Sequence, residues 1–270
     1  MTSAFPTPAW LVGCGNMAGA MVEGWRAGGT DFSGVTVIRP SGKQVEGVLT
    51  VTGYPDEQPR FVMLGFKPQK LGEIAPGLAS RVGADTILVS MLAGVTAAGL
   101  REQFPNAKAI VRIMPNLPVA QAQGVTAIYS RDGDNNRLAE VRQLMASLGM
   151  IAWCDTEEEL GVIGAVASAG IAYVARFADA LAKSGEALGL KPGLAQQVAV
   201  QTLVGTSAYA ADTGASMAEI ARRVASPKGT TEQGLAVLDA PDGLQPLVQE
   251  TLAAAVRRGK ELAEEAARRN

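Results

Sequence analysis

An α/β domain on a mostly parallel sheet, followed by an all-α domain, is the fold class that this 270-residue sequence predicts. Two observations predict it. Up to residue 154, short apolar runs alternate with segments of helical spacing, the rhythm of βαβ units. From Thr156 onward the strand signal vanishes and long Ala-rich helical stretches replace it. The boundary is therefore expected near Asp155, giving domains of residues 1–155 and 156–270.

Taken in order, residues 9–12, 35–38, 61–64, 86–90, 109–113 and 125–129 read as strands, with 150–154 as a last one. Between them, residues 17–27, 70–79, 96–103 and 135–148 carry helical spacing. Residues 41–60 are short for a full helix plus strand. In the second half, 157–188, 192–213, 216–224, 230–238 and 244–269 read as helices. Asp155 or Thr156 ahead of Glu157, Glu158 and Glu159 puts a polar cap and negative charge where a helix start favours them. No internal repeat or low-complexity linker is visible.

Two of these helices are almost free of charge, over 160–175 and 194–211, with Gly, Ala and Ser interleaved. A small domain has little protein to cover such helices on all sides, so a partner subunit is expected. The alternative is that the two bury each other.

Composition narrows the chemistry. Hydrophobic residues make up 47% of the chain, ample for a sizeable core. A formal net charge of −2 gives no global field toward nucleic acid or anionic lipid. The uncharged stretch of interest, 160–175, has sixteen residues, short of the roughly twenty that cross a bilayer, so a helix buried by protein is expected there. The N-terminus shows no secretory pattern, and Cys14 and Cys154 match no metal or redox spacing, which fits a reducing compartment, the cytoplasm. Histidine is absent, which removes Ser-His triads, imidazole acid-base catalysis and the commonest metal ligand; no metal site is expected.

The sharpest local signal is Gly13-Cys14-Gly15-Asn16-Met17-Ala18-Gly19, directly after an apolar strand and at the head of a helical pattern. Ala18 takes the third position of a GxGxxG/A dinucleotide fingerprint. Glycine permits the tight turn and the close approach of a pyrophosphate, while free N–H groups at the helix start receive its charge. The first domain is thus expected to be Rossmann-like. Its second strand ends in Arg39-Pro40-Ser41-Gly42-Lys43, where an NAD site would carry a carboxylate for the ribose. A cation and a hydroxyl suit a 2′-phosphate instead, so NADPH is expected over NADH.

Several further motifs occur in order: Phe66-Lys67-Pro68-Gln69, Ala93-Gly94-Val95-Thr96, Arg112-Ile113-Met114-Pro115-Asn116-Leu117-Pro118 and Ser226-Pro227-Lys228-Gly229-Thr230-Thr231. With the glycine loop, Gln201-Thr202-Leu203-Val204-Gly205 and the ending Arg257-Arg258-Gly259-Lys260-Glu261-Leu262, they make the chain resemble the pyrroline-5-carboxylate reductase family over nearly its whole length. The resemblance implies NAD(P)H-dependent reduction of Δ1-pyrroline-5-carboxylate to proline by an interlocked homodimer, or an assembly of dimers, whose helical domains complete each other's sites. It implies that Gly13, Cys14, Gly15, Asn16 and Met17 hold the diphosphate and that Arg39 and Ser41 hold the 2′-phosphate. Lys67, Pro68, Leu92, Ala93 and Asn116 would line the ribose and nicotinamide end. Substrate would meet Val224, Lys228, Gly229, Thr230 and Thr231, with Thr231 hydrogen-bonded to the ring nitrogen as the catalytic residue. A cyclic imine can take its proton from solvent, so a site without histidine needs positioning more than acid-base chemistry.

Three departures from the family pattern stand out. Where the family has Ser-Gly-Ser-Gly-Pro-Ala-Tyr, this chain reads Ala167-Ser168-Ala169-Gly170-Ile171-Ala172-Tyr173, and losing proline predicts a straighter helix. Lys228 stands where glycine is common, and residues 41–60 are shortened. Tyr173, Asp179 and Glu186 are the helical candidates for an acid, whereas Met17, Met114 and Met150 read as core or cofactor-contacting apolar groups. A reductase of another cyclic imine or imino acid, or an NADP(H)-binding relative weakened in turnover, stays open beside the leading reading.

Overall fold

A computed structural model describes residues 4–133 and 138–267. Eight strands form one sheet: β1 (Ala9–Val12), β2 (Val35–Ile38), β3 (Leu49–Val51), β4 (Phe61–Leu64), β5 (Ile87–Ser90), β6 (Ala109–Pro115), β7 (Gly124–Ser130) and β8 (Gly149–Trp153). Their order is β3-β2-β1-β4-β5-β6-β7-β8, and every neighbouring pair is parallel except antiparallel β6 and β7. The chain moves outward from β1 to β3, then returns to the other side of β1 with β4. This reversal opens a crevice at the carboxyl ends of β1 and β4, where doubly wound sheets bind ligands.

Helices α1 (Asn16–Ala27), α2 (Leu71–Ala79), α3 (Ala97–Gln103) and α4 (Ala139–Ala146) accompany the sheet. Alternate strand residues divide two apolar layers between its faces. Leu11, Val37, Met63, Val89 and Val111 pack with residues of α1 and α4, while Trp10, Val12, Val62, Leu88 and Ile110 pack with α2 and α3. Cover on both faces explains why β1, β2, β4 and β5 are buried along their whole length and read as near-continuous apolar runs, with only Thr36 in β2 and Ser90 at the end of β5 polar. The strands expected from sequence are all present, extended by one or two residues in β6 and β7. Of the helix expected over 135–148, residues 135–137 lie outside the described residues, as do 268 and 269 of the last helix.

The second half is helical: α5 (Glu157–Ile163), a π-helical turn (Gly164–Ser168), α6 (Gly170–Ala187), α7 (Pro192–Thr213), α8 (Met217–Val224), α9 (Thr230–Leu238) and α10 (Leu244–Ala267). Two compact units result, residues 1–168 with 255–270, and residues 169–254. This division falls later than Asp155 because α5 and the π turn belong to the sheet: Leu160 packs in its core and Ala165 is buried. The run read as helical over 157–188 is interrupted by the π turn at Gly164–Ser168, and Ile171 lies beyond it in α6. Taken together, Glu157–Ala187 is 31 residues long and apolar enough to cross a membrane by length and composition, which the uncharged stretch 160–175 alone is not.

Candidate active site

Gly13 makes the turn out of β1 with φ +81°, a left-handed value that favours glycine. A β-carbon there would lie 2.9 Å from the Gly65 carbonyl oxygen, at the end of β4. Backbone hydrogen bonds knit these crossing loops together: Gly13 N–H donates to the Ile38 carbonyl at 2.8 Å and Gly65 N–H to the Val12 carbonyl at 2.9 Å. α1 then begins with Gly15 as its cap, without a side chain capping it and without an acidic residue in the first turn. Its first N–H groups and positive dipole end are left for an anion.

These loops border a cleft of about 980 Å³. Gly13, Cys14, Gly15, Asn16, Met17, Arg39, Ser41, Lys67 and Pro68 all line it. No carboxylate pairs with Arg39 among the described residues; its Nη1 donates to the Lys43 carbonyl at 3.3 Å, and Ser41 Oγ accepts the Lys43 N–H at 3.4 Å. Burial pushes the Cys14 thiol up from its ordinary value, with Arg39 partly opposing, so Cys14 is a neutral packing group of the loop. A dinucleotide fits this lining: a cradle that a β-carbon would fill, an uncapped helix start for the diphosphate, and an unpaired guanidinium at the end of β2. Among the described residues no three metal-ligating side chains converge.

Three residues that the resemblance assigns to the same site do not line the cleft. Leu92 is buried in the sheet's core, and Ala93 is exposed on the loop after β5. Asn116 is buried with both ends of its amide engaged: Oδ1 accepts the Val125 N–H at 2.7 Å and Nδ2 donates to the Ala167 carbonyl at 3.0 Å. Asn116 thus pins the π turn to the sheet, helped by Ser168 Oγ donating to the Pro115 carbonyl at 3.3 Å. The altered stretch at 167–171 therefore begins on this anchored turn. Conversely, the cleft includes Thr52, Tyr54, Lys70, Glu73, Ile74 and Met91, which no sequence motif marked.

In the helical unit, Val224 ends α8 and Gly229 caps α9. Ser226 to Gly229 form a turn in which the Ser226 carbonyl accepts the Gly229 N–H at 2.9 Å. Proline at its second position and φ +60° at Lys228 define type II. Glycine is the residue this third position favours, which explains the departure's physical cost. A β-carbon on Gly229 would collide with Ser226. Glu232 accepts the Lys228 N–H at 2.7 Å and locks the turn. Thr230 and Thr231 open α9 exposed to solvent, and no hydrogen bond occupies their hydroxyls among the described residues.

Of the helical acid candidates, Asp179 is paired with Lys183 at 2.9 Å and Arg176 at 3.6 Å. The Lys183 hydrogen bond and charge hold its carboxyl below the ordinary range, so it is an anion at neutral pH and a poor proton donor. Tyr173 is half-buried in α6, and Glu186 lies near that helix's end.

Comparison with known proteins bears on the family and the fold. A Pseudomonas aeruginosa pyrroline-5-carboxylate reductase is 30% identical over 264 residues, covering 94% of this chain and 96% of that protein. The chain belongs to the pyrroline-5-carboxylate reductase family. The family's dimerisation domain, described as pyrroline-5-carboxylate reductase dimerisation, matches residues 157–262. A Coxiella burnetii pyrroline-5-carboxylate reductase structure superposes with TM-score 0.88 at 29% identity, covering 95% of this chain and 98% of its own. A Plasmodium falciparum pyrroline carboxylate reductase, solved with NADP bound, shares the fold with TM-score 0.81 at 21% identity, over 95% and 98%. Family membership makes the chain an oxidoreductase with a Rossmann-like first domain, of the general class of NAD(P)H-dependent C=N reductases.

Proposed function

We propose that this protein reduces Δ1-pyrroline-5-carboxylate to L-proline with NADPH, as the closing step of proline synthesis. The observation that carries the reading is the Ser226–Gly229 turn, which leaves the first N–H groups of α9 and the hydroxyls of Thr230 and Thr231 unoccupied. An imino acid offers the matching pair: a carboxylate for the N–H groups and a ring nitrogen for the Thr231 hydroxyl. Val224, Lys228 and Gly229 border the same loop. With no histidine in the chain, the imine is protonated from solvent and the protein orients it. Holding two reactants in line contributes up to about 7–11 kcal/mol at the extreme. When bound, NADPH supplies the hydride to the C=N carbon.

NADPH is preferred because Arg39 and Ser41 replace the carboxylate that an NAD site would have. The bound NADP of the Plasmodium structure supports this choice.

The working form is a homodimer or an assembly of dimers. Residues 169–254 bury only Ala182, Ala195, Ala199 and Ile220 among their hydrophobic side chains, while Val174, Val198, Val204 and Leu188 stay exposed. So thin a core calls for a second chain. The α6 part of the apolar run, Gly170–Ala187, belongs on this interface, within the span of the dimerisation domain, rather than in lipid. Free, buried Cys14 and Cys154 suit the cytoplasm.

The second reading, reduction of a different cyclic imine, draws on the altered stretch at 167–171 beside Asn116. Incubation with NADPH and Δ1-pyrroline-5-carboxylate, followed by mass-spectrometric detection of proline, tests the proposal. Proline formed in step with NADPH consumed is the expected result; consumption of neither reactant refutes it.

A further inference from the structure

The cleft has a second limb that no glycine motif announces. It is built by the edge strand β3, whose Val51 pairs with Ile38 and so carries the chain past the end of β2. Thr52 and Tyr54 thereby reach the cleft on the side of Arg39, where Ile38 and Ile74 supply further apolar surface. Tyr54 is firmly backed. Its ring stacks on that of Trp10, with centroids 5.8 Å apart and planes inclined by 20°, and Trp10 is fully buried in β1. No hydrogen bond occupies the Tyr54 hydroxyl among the described residues. Burial also pushes the phenol up from its ordinary value and keeps it neutral.

We infer that Tyr54, braced by Trp10, is the platform for the purine ring of the bound dinucleotide, with Arg39 meeting the phosphate on the same nucleoside. This rests on the dinucleotide reading of the cleft and not on the identity of the imine. A purine presents apolar faces and a hydrogen-bonding edge, and this limb presents an aromatic ring, two isoleucines and two unoccupied hydroxyls, those of Tyr54 and Thr52. A ring already held by its neighbour loses little freedom when a ligand stacks on it. The assignment separates two roles. Arg39 distinguishes NADPH from NADH, whereas Tyr54 serves every adenine nucleotide equally.

Adenosine 2′,5′-bisphosphate carries the purine and the 2′-phosphate without the nicotinamide, and its binding to the full chain can be followed by calorimetry. Loss of base–aromatic stacking predicts that Tyr54→Ala weakens it roughly ten- to a hundredfold. Tyr54→Phe, which keeps the ring, should restore most of that affinity. NADPH and NADH should weaken by the same factor in Tyr54→Ala. Independently, in wild-type protein with isotope-labelled tyrosine rings, the bisphosphate should shift the resonance that disappears in Tyr54→Phe. That measurement decides the matter if Tyr54→Ala does not fold. A folded Tyr54→Ala that binds the bisphosphate like wild type, or a Tyr54 resonance unmoved at saturation, overturns the assignment. Neither arm contains an imine, so either proposal can fail while the other stands.

Discussion

The Glu157 carboxylate accepts a hydrogen bond from the Arg112 guanidinium at 2.8 Å, tying the first residue of α5 to the middle of β6. The same oxygen accepts the Ala97 N–H at 2.7 Å and so holds the start of α3 as well. Side-chain exposures of 10% for Arg112 and 17% for Glu157 place the pair largely out of water, and Arg112 Nε has no acceptor among the described residues. Removing one partner would strand the other charge, which costs more than the intact pair contributes. Glu157→Ala is expected to lower stability by about 3 kcal/mol, seen as a fall in denaturant midpoint at constant slope. An unchanged midpoint would show that Arg112 needs no counter-charge.

Lys228 offers a change of opposite sign. Its left-handed φ of +60° disfavours any residue with a β-carbon, so Lys228→Gly should raise stability by about 1 kcal/mol. Calorimetry should find Tm higher by about 2–4 °C. The same variant tests the ammonium: a higher KM for pyrroline-5-carboxylate with kcat retained means that Lys228 meets the carboxylate. A lower Tm would mean that the lysine side chain stabilises the loop by more than its backbone costs.

Cofactor choice should turn on Arg39. A carboxylate in its place repels the 2′-phosphate and accepts from a free ribose hydroxyl, so Arg39→Asp should reverse the NADPH-over-NADH order in kcat/KM. If the ratio does not move, the phosphate is held elsewhere in the cleft.

Much of the first unit was legible because strands covered on both faces are apolar along nearly their whole length, as 9–12, 35–38 and 61–64 are, with Thr36 the one polar residue among them. β3 was not, since it has only three residues, lies at the sheet edge and exposes Leu49. Missing β3 meant missing Thr52 and Tyr54, which enter the cleft only through its pairing. The π turn was equally hidden: small residues over 160–175 suit any helical winding, and the anchor that marks the turn, Asn116 on Ala167, comes from a strand far away in sequence. Glu157 was readable as a favourable charge at a helix start, whereas its bond to Arg112 is set by sheet packing. For the turn at Ser226–Gly229, the motif located the loop, and only its backbone shows why Lys228 is costly there.

Oligomeric state follows from the bare apolar faces of α6 and α7. Sedimentation at micromolar concentration should find dimers or multiples of dimers. A fully active monomer would contradict the shared-site reading.

The most direct test is kcat/KM for Δ1-pyrroline-5-carboxylate, followed by NADPH absorbance, in the wild type and Thr231→Ala. Wild type should prefer this substrate over other cyclic imines. Loss of one hydrogen bond to a nitrogen carrying charge costs about 1.5–3 kcal/mol, or roughly ten- to a hundredfold in kcat/KM. Thr231→Ala should fall within that range with NADPH affinity nearly unchanged. A wild-type rate in Thr231→Ala, or a clear preference for another imine, would contradict the account.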